Sequence, residues 1–486
     1  MPRALYGLML AALLVRLAIW PWFAAIEPQI YDEGDYVELA TNLAQHGEFA
    51  MNGRVTAARP PLYPAAIAVI YRAAGMDAHQ AVRLAQILLN VAMVPLVFVL
   101  GRHLYDQRTG LWAAGLAAFY PSLWGHDYLL LTEVLFTFLL VAGTVAAVAN
   151  AARPRWALVA VAGIAFGLGA LTRTSLLLYP PLFAIATFAW CKAPSARRIA
   201  TVTLFTATFA LTIAPWIVRN TRLNGRLSSI DSYSNSTAAR FSPLRHLFEK
   251  PGSTWATRPP RERDGTRAEA DDGGARARRR RRERLAESSS ANEPAGDSES
   301  RPAAASGGAE SGPPVGFSVH LRRAVRGVVW DGLLFWRIDR EIAAAAADGR
   351  LGSMPRPVLL VLTASIAGYY VVLALAAAVG LFLRPPEDRL RLGLLLSVVV
   401  VLFAVHTFSV GHSRYHIPLM PLLAVFAARL WVARGQTVVA RRLVAGLVAA
   451  SVLIASWTTA FVRYDLVDVR NKLERSERRP ADGRID

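Results

Sequence analysis

The chain has 486 residues, of which 54% are hydrophobic, with a formal net charge of +19 and one cysteine, Cys191. Apolar runs of about 18 to 25 residues recur along most of it, a length that matches the hydrocarbon thickness of a bilayer as a helix. These runs exclude the one or two soluble domains that length alone would favour. The single cysteine excludes an intramolecular disulfide. We therefore predict an all-α, polytopic membrane protein.

The apolar runs predict about eleven membrane-spanning helices, within a range of roughly nine to thirteen. The first run, residues 4–26, follows Arg3 and could be a signal peptide, but its length and the later spans favour a retained helix. Arg16 lies inside it, and an ionisable residue at that depth normally faces protein or a watery groove rather than lipid. The other spans are predicted at residues 80–101, 108–126, 128–150, 156–172, 175–191, 199–217, 357–383, 392–410, 416–433 and 443–462.

Arginine and lysine in the short linkers predict the orientation. Every second linker is short and basic, which is the pattern of cytoplasmic loops. This accounts for the net charge better than nucleic-acid binding does, so we expect no nucleic-acid partner. The basic linkers are residues 102–108, 151–155, 192–198, 384–391 and 434–442. The first loop, residues 27–79, and residues 220–356 and 411–415 then lie on the outer face.

Four regions follow from this pattern. Residues 1–230 form an N-terminal transmembrane catalytic module, residues 231–356 an outer loop with a small cap, residues 357–462 the C-terminal helices, and residues 463–486 a charged tail. Within the outer loop, residues 251–314 contain twelve Arg and eleven Asp or Glu with almost no large apolar residue. Such a segment is predicted to be a disordered insertion. Its run RARRRRRER leaves a polyanion-binding arm as the alternative.

The first outer loop opens with YDEGDYVELATNLAQHGEF, which begins at Tyr31. Its apolar residues have the one-sided spacing of an amphipathic helix, and Gly47 is a plausible helix end. The prolines of ARPPLYPAAIAVIYRAAG, residues 58–75, suit the start of a second short helix. We expect both helices to lie in the membrane interface. Asp32 and Asp35 could simply cap the first helix, or form an acidic pair at the mouth of a groove.

Several motifs, taken in order along the chain, resemble one superfamily. They are YDEGDY, NLAQHGEF, ARPPLYP, LLLTEVLF after a predicted span, and HSRYHIPLMP before a late one. In this order the sequence resembles bacterial GT-C glycosyltransferases of the dolichyl-phosphate-mannose protein mannosyltransferase superfamily (glycosyltransferase family 39/83-like). The resemblance covers roughly residues 1–230 and 315–425.

The resemblance implies the GT-C architecture and an inverting transfer of a monosaccharide from a polyprenyl-phosphate donor. The acceptor would be a protein, glycan or lipid on the outer face of the bacterial cytoplasmic membrane. In this family an Asp of the first outer loop is the catalytic base, which Asp32 matches with Glu33 beside it. A second acidic residue lies after the third span, where Glu133 fits better than Asp127.

Transfer from a phosphate also needs positive charge for the leaving group. We rank Arg414 first for the donor phosphate, then Arg59 and Arg173; the alternative for each is an interfacial arginine that reaches lipid phosphate. Further site candidates are Tyr36, Tyr415 and His412. No cofactor is expected to be required, and a divalent metal, though possible, has no tight ligand spacing in its favour.

Two other classes of function compete with an enzyme. A membrane transporter or lipid flippase would place buried charges near the bilayer midplane in repeated halves, whereas here acidic residues cluster at the outer ends of spans. A non-enzymatic scaffold with a disordered arm would leave Asp32, Glu33 and Arg414 unexplained.

Overall fold

A computed structural model describes residues 2–23, 32–225, 227–231, 329, 332–338, 355–408, 413–433 and 439–462. The described part is almost wholly helical, which confirms the predicted all-α class. Its helices are α1 Arg3–Phe23, α2 Glu33–His46, α3 Leu62–Ala74, α4 His79–Leu104, α5 Gln107–Ala118, α6 Pro121–Tyr128, α7 Glu133–Ala152, α8 Trp156–Thr172, α9 Tyr179–Trp190, α10 Ser195–Asn224, α11 Arg356–Leu383, α12 Arg389–Phe408, α13 Met420–Val432 and α14 Ala440–Ala460. Short 3-10 helices, Thr174–Leu178 and Ser413–Leu419, precede α9 and α13.

Eight helices in the described part are long and apolar enough to cross a membrane. Two further predicted spans correspond to shorter apolar helices, Trp156–Thr172 and Thr174–Trp190. The predicted span at residues 108–126 is divided into α5 and α6, because Tyr120 is extended ahead of Pro121, as residues before proline usually are. A polytopic membrane protein is thus confirmed, while the count of eleven spans stays a prediction.

Small residues let the helices approach closely. α4 packs on α5 and α7, α7 on α8, and α8 on α10. A Cβ atom on Gly110 of α5 would lie 2.5 Å from the carbonyl oxygen of Phe98, and one on Gly163 of α8 would lie 2.6 Å from that of Phe205. Close backbone contact of this kind is a main source of attraction between helices in lipid.

Arg16 faces protein, as predicted. Its side chain is fully buried, and its Nε donates to Asp127 Oδ2 at 2.8 Å. Nη1 donates to the carbonyl oxygens of Ala12 and Ala118. Asn90 of α4 donates to the other carboxylate oxygen of Asp127 at 2.7 Å. This buried pair joins α1 to α4, α5 and α6.

The first loop contains the two predicted helices, α2 and α3, joined by a hairpin of β1 Ala50–Met51 and antiparallel β2 Arg54–Val55. α2 ends as predicted at Gly47, whose φ of 71° is a left-handed conformation that glycine adopts without strain. Tyr36 and Tyr63 pack edge to face between α2 and α3. The location of these helices in the membrane interface stays a prediction.

Most of the predicted outer loop, including the insertion at residues 251–314, lies outside the described residues, as does the tail 463–486. In the part that is described, Phe335 is fully buried and its ring lies 5.5 Å from that of Phe403 in α12. Phe335 of this loop therefore packs on the helical body.

Candidate active site

Asp32 stands at the N-cap position of α2, but its side chain makes no capping hydrogen bond. Instead, Oδ1 accepts from Arg59 Nη2 at 2.8 Å, and Oδ2 accepts from Arg414 Nη2 at 3.2 Å. Helix capping, the alternative explanation of this carboxylate, is therefore not its role in the structure. Asp32 binds two guanidinium groups that come from opposite ends of the chain.

Arg59 lies between the hairpin and α3, and it also binds Asp35. Its Nε and Nη2 donate to Asp35 Oδ2 at 3.1 and 2.6 Å. The guanidinium stacks over the ring of Tyr36, 5.8 Å from its centroid. The sequence offered Asp35 as a helix cap or as part of an acidic pair with Asp32, but gave it no role in the reaction. Its position three residues after Asp32 was the available signal, because residues at this spacing share a helix face.

Glu133 begins α7, where a carboxylate is favoured by the helix dipole. Arg173, directly after α8, donates from Nη1 to Glu133 Oε1 at 3.0 Å, and Arg414 Nε lies 3.9 Å from the same oxygen. Glu133 is only 2% exposed, and its Oε2 has no hydrogen-bond partner among the described residues. This oxygen is itself buried, so it is an unsatisfied acceptor next to the arginines.

Tyr415 and Tyr36 are the aromatic members of the site. The guanidinium of Arg173 lies 4.7 Å from the ring centroid of Tyr415, and that of Arg414 lies 5.5 Å from it. His406 of α12 stacks on the same ring. Burial raises the pKa of Tyr36 well above its usual range, so this hydroxyl keeps its proton.

Six side chains thus form one connected group, which we call the charge network. In order of contact its members are Asp35, Arg59, Asp32, Arg414, Glu133 and Arg173. Three carboxylates and three guanidinium groups give it no net formal charge. Five of the six side chains are 13 to 40% exposed, so the network is accessible from one side. Such a group can bind a phosphate and accept a proton in the same place.

Three predicted site residues are not placed in the charge network. Glu33 is buried, and its Oε1 accepts from the backbone N–H of Leu130 at 2.6 Å. Asp127 is held by Arg16 and Asn90 inside the helical body. His412 lies outside the described residues. Among the residues that are described, no group of three or more His, Cys, Asp or Glu side chains is arranged to hold a metal ion.

A known family matches part of the sequence, and solved structures share the fold. Residues 58–218 match the family model described as dolichyl-phosphate-mannose-protein mannosyltransferase. That range includes Arg59, Glu133 and Arg173 but neither Asp32 nor Arg414. No curated protein matches the sequence.

Two solved structures are similar to this chain. ArnT from Cupriavidus metallidurans, bound to undecaprenyl phosphate, has a TM-score of 0.50 and 14% identity over 93% of this chain and 64% of its own length. The archaeal oligosaccharyltransferase AglB from Archaeoglobus fulgidus, in complex with an inhibitory peptide and a dolichol-phosphate, has a TM-score of 0.47 and 13% identity over 93% of this chain and 54% of its own. The chain thus spans less than two thirds of either protein.

The family match covers a third of the chain, and the fold shared with ArnT covers most of it. Both findings support the GT-C superfamily assignment that was predicted from the motifs.

Proposed function

We propose that the chain is a glycosyltransferase that moves a monosaccharide from a polyprenyl-phosphate donor to an acceptor on the outer face of the bacterial cytoplasmic membrane, with inversion. The acceptor is a protein, a glycan or another lipid. The charge network carries this proposal, because it gathers phosphate-binding and proton-accepting groups at the ends of membrane-spanning helices. The family match over residues 58–218 supports the same reaction class.

The donor phosphate would bind the arginines of the network. Arg414 is the best placed, since it lies between Asp32 Oδ2 at 3.2 Å and Glu133 Oε1 at 3.9 Å. A phosphate that pairs with Arg414 and Arg173 would replace carboxylate contacts by charge-assisted contacts of the same kind. Undecaprenyl phosphate is the ligand bound in the similar ArnT structure, and a lipid phosphate is the ligand we expect here.

Asp32 is the proposed base. In the structure both of its oxygens accept hydrogen bonds from guanidinium groups. When the donor phosphate draws Arg414 away, Oδ2 becomes available to the acceptor hydroxyl. That oxygen takes the hydroxyl proton as the acceptor oxygen bonds to the anomeric carbon and the bond from that carbon to the phosphate oxygen breaks.

The charges balance in this step. The donor is a phosphodiester with one negative charge, and the departing polyprenyl phosphate gains a second as Asp32 becomes neutral. Positive charge fixed near the departing oxygen stabilises the transition state. Glu133 orients Arg173 and Arg414 before the phosphate binds.

The test is sugar transfer from a radiolabelled polyprenyl-phosphate sugar pool, in membranes that contain the wild type, Asp32→Asn or Glu38→Gln. Glu38 is the matched control because it is a carboxylate on the same helix, α2, outside the charge network. Transfer by the wild type and by Glu38→Gln, with loss in Asp32→Asn at equal protein level, supports the proposal. Full transfer by Asp32→Asn would rule out Asp32 as base, and no transfer by the wild type from any donor would contradict the enzyme.

A further inference from the structure

A second feature of the structure is a cavity of about 90 Å³ that opens to the surface and shares no residue with the charge network. Its walls come from the end of α7, the start of α8, the end of α9 and the start of α10 and α12. The residues used below are Ala151, Arg155, Trp156, Phe183, Arg197 and Leu394.

The cavity lies at the opposite end of α7 from the charge network. Glu133 is the first residue of α7, and Ala151 is next to the last. Eighteen residues at a rise of 1.5 Å each separate them by roughly 27 Å, close to the thickness of the hydrocarbon layer. The two sites therefore lie at the two ends of a membrane-spanning helix, and the cavity is at headgroup level on the side where the basic linkers are.

The polar part of the cavity is positively charged. Arg155 and Arg197 are both exposed, and within the described ranges neither guanidinium has a carboxylate partner. Arg197 lies 6.0 Å from the ring centroid of Trp156, which is 52% exposed. Tryptophan in such a position is typical of the membrane interface. This contrasts with the charge network, where every arginine is paired with a carboxylate.

The deeper part of the cavity is apolar. Phe183 and Leu394, which are each 3% exposed, line the cavity together with Ala151. Arginines above an apolar wall suit a ligand with an anionic head and a hydrocarbon tail, and basic pockets between membrane helices bind lipids of this kind.

We propose that this cavity binds an anionic phospholipid, with its phosphate on Arg155 and Arg197 and an acyl chain against Phe183 and Leu394. A soluble phosphate would use the arginines but not the apolar wall, so the lipid is the ligand that matches both parts. The site is separate from the proposed donor site and does not depend on the proposed reaction.

The test is native mass spectrometry of the full chain, purified and supplied with equal amounts of phosphatidylglycerol and phosphatidylcholine. Two variants act on different parts of the cavity. Arg155→Gln with Arg197→Gln removes the charges, and Ala151→Phe fills the apolar part with the charges unchanged. The matched control is Arg108→Gln with Arg153→Gln, two exposed arginines that do not line the cavity.

We expect each cavity variant to weaken phosphatidylglycerol binding about tenfold and the control to change it by less than about twofold, where tenfold corresponds to 1.4 kcal/mol. Equal losses in both arginine pairs would mean general charge attraction and would overturn the site, as would unchanged binding in the cavity variants. A parallel titration with inorganic phosphate separates the sources: if phosphate at millimolar concentration displaces the lipid fully, the ligand is a free anion. If one cavity variant fails to fold, lipid binding by the other cavity variant still tests the proposed site.

Discussion

Two groups of paired charges in this protein, the Arg16–Asp127 pair and the charge network, both contain arginines and carboxylates. They differ in how exposed their side chains are. The Arg16–Asp127 pair is closed: both side chains are fully buried, and Asn90 and two backbone carbonyl oxygens add hydrogen bonds to it. Arg16 Nη2 has no hydrogen-bond partner among the described residues. The charge network is open, with Asp32 27% exposed and shared between two arginines.

The difference indicates what each group can do. A closed pair has no room for a ligand. Its effect is that neither Arg16 nor Asp127 is an unpaired charge inside the helical body. In the open network, a ligand phosphate can replace a carboxylate as the partner of an arginine. The guanidinium group then still has an anionic partner and is not left unpaired. We therefore assign the closed pair to folding and the open network to chemistry.

The largest expected effect is on folding. Asp127→Asn removes the charge that Arg16 needs while keeping the size of the side chain, and loss of one member of a buried pair costs about 3 to 5 kcal/mol. We expect a markedly lower Tm in detergent, with transfer per folded molecule close to that of the wild type. A variant with unchanged Tm and lost transfer would place Asp127 in the chemistry instead.

A double variant sharpens this prediction. Arg16→Met with Asp127→Leu replaces the pair by apolar side chains of similar volume, a change that is often neutral or stabilising. We expect it to recover most of the Tm lost in Asp127→Asn. If the double variant is as unstable as the single one, the pair has a role that packing cannot replace.

The next effect is on the reaction. Arg414→Gln removes a donor that, in the proposed reaction, faces the developing phosphate charge. Losses of this kind reduce the rate by about 100-fold, or about 2.7 kcal/mol of activation free energy. Tm should change little, because the side chain is partly exposed. The comparison with Arg414→Lys tests geometry: the lysine keeps the charge but not the paired donors, so we expect partial activity. Equal activity of the Gln variant and the wild type would contradict a phosphate role.

The smallest effect is expected at Asp35. Its carboxylate is 40% exposed and pairs only with Arg59 among the charge-network arginines, and exposed ion pairs contribute about 0 to 1 kcal/mol. Asp35→Asn should therefore lower transfer only a few-fold, in the same membrane assay. A loss as large as that of Asp32→Asn would mean that Asp35, and not Asp32, is the essential carboxylate.

The sequence by itself determined the class of protein and much of its local structure. Hydrophobic runs predicted the long helices and Gly47 predicted the end of α2, because helix length and helix ends depend on nearby residues. The motifs indicated a superfamily that the comparisons support. Five residues predicted from the sequence lie together in the charge network, and their roles stay a prediction. They are Asp32, Arg59, Glu133, Arg173 and Arg414.

Only the tertiary structure decided which charges meet. Asp127 and Glu133 are six residues apart and looked similar in sequence, yet one faces Arg16 of α1 and the other faces Arg173. The chain is extended at Leu129 between α6 and α7, so the two carboxylates lie on differently oriented helices. Asp32 and Arg414 are separated by 382 residues, and no local pattern carries that information. Their contact follows from the packing of helices from both ends of the chain, which the sequence encodes only through the whole fold.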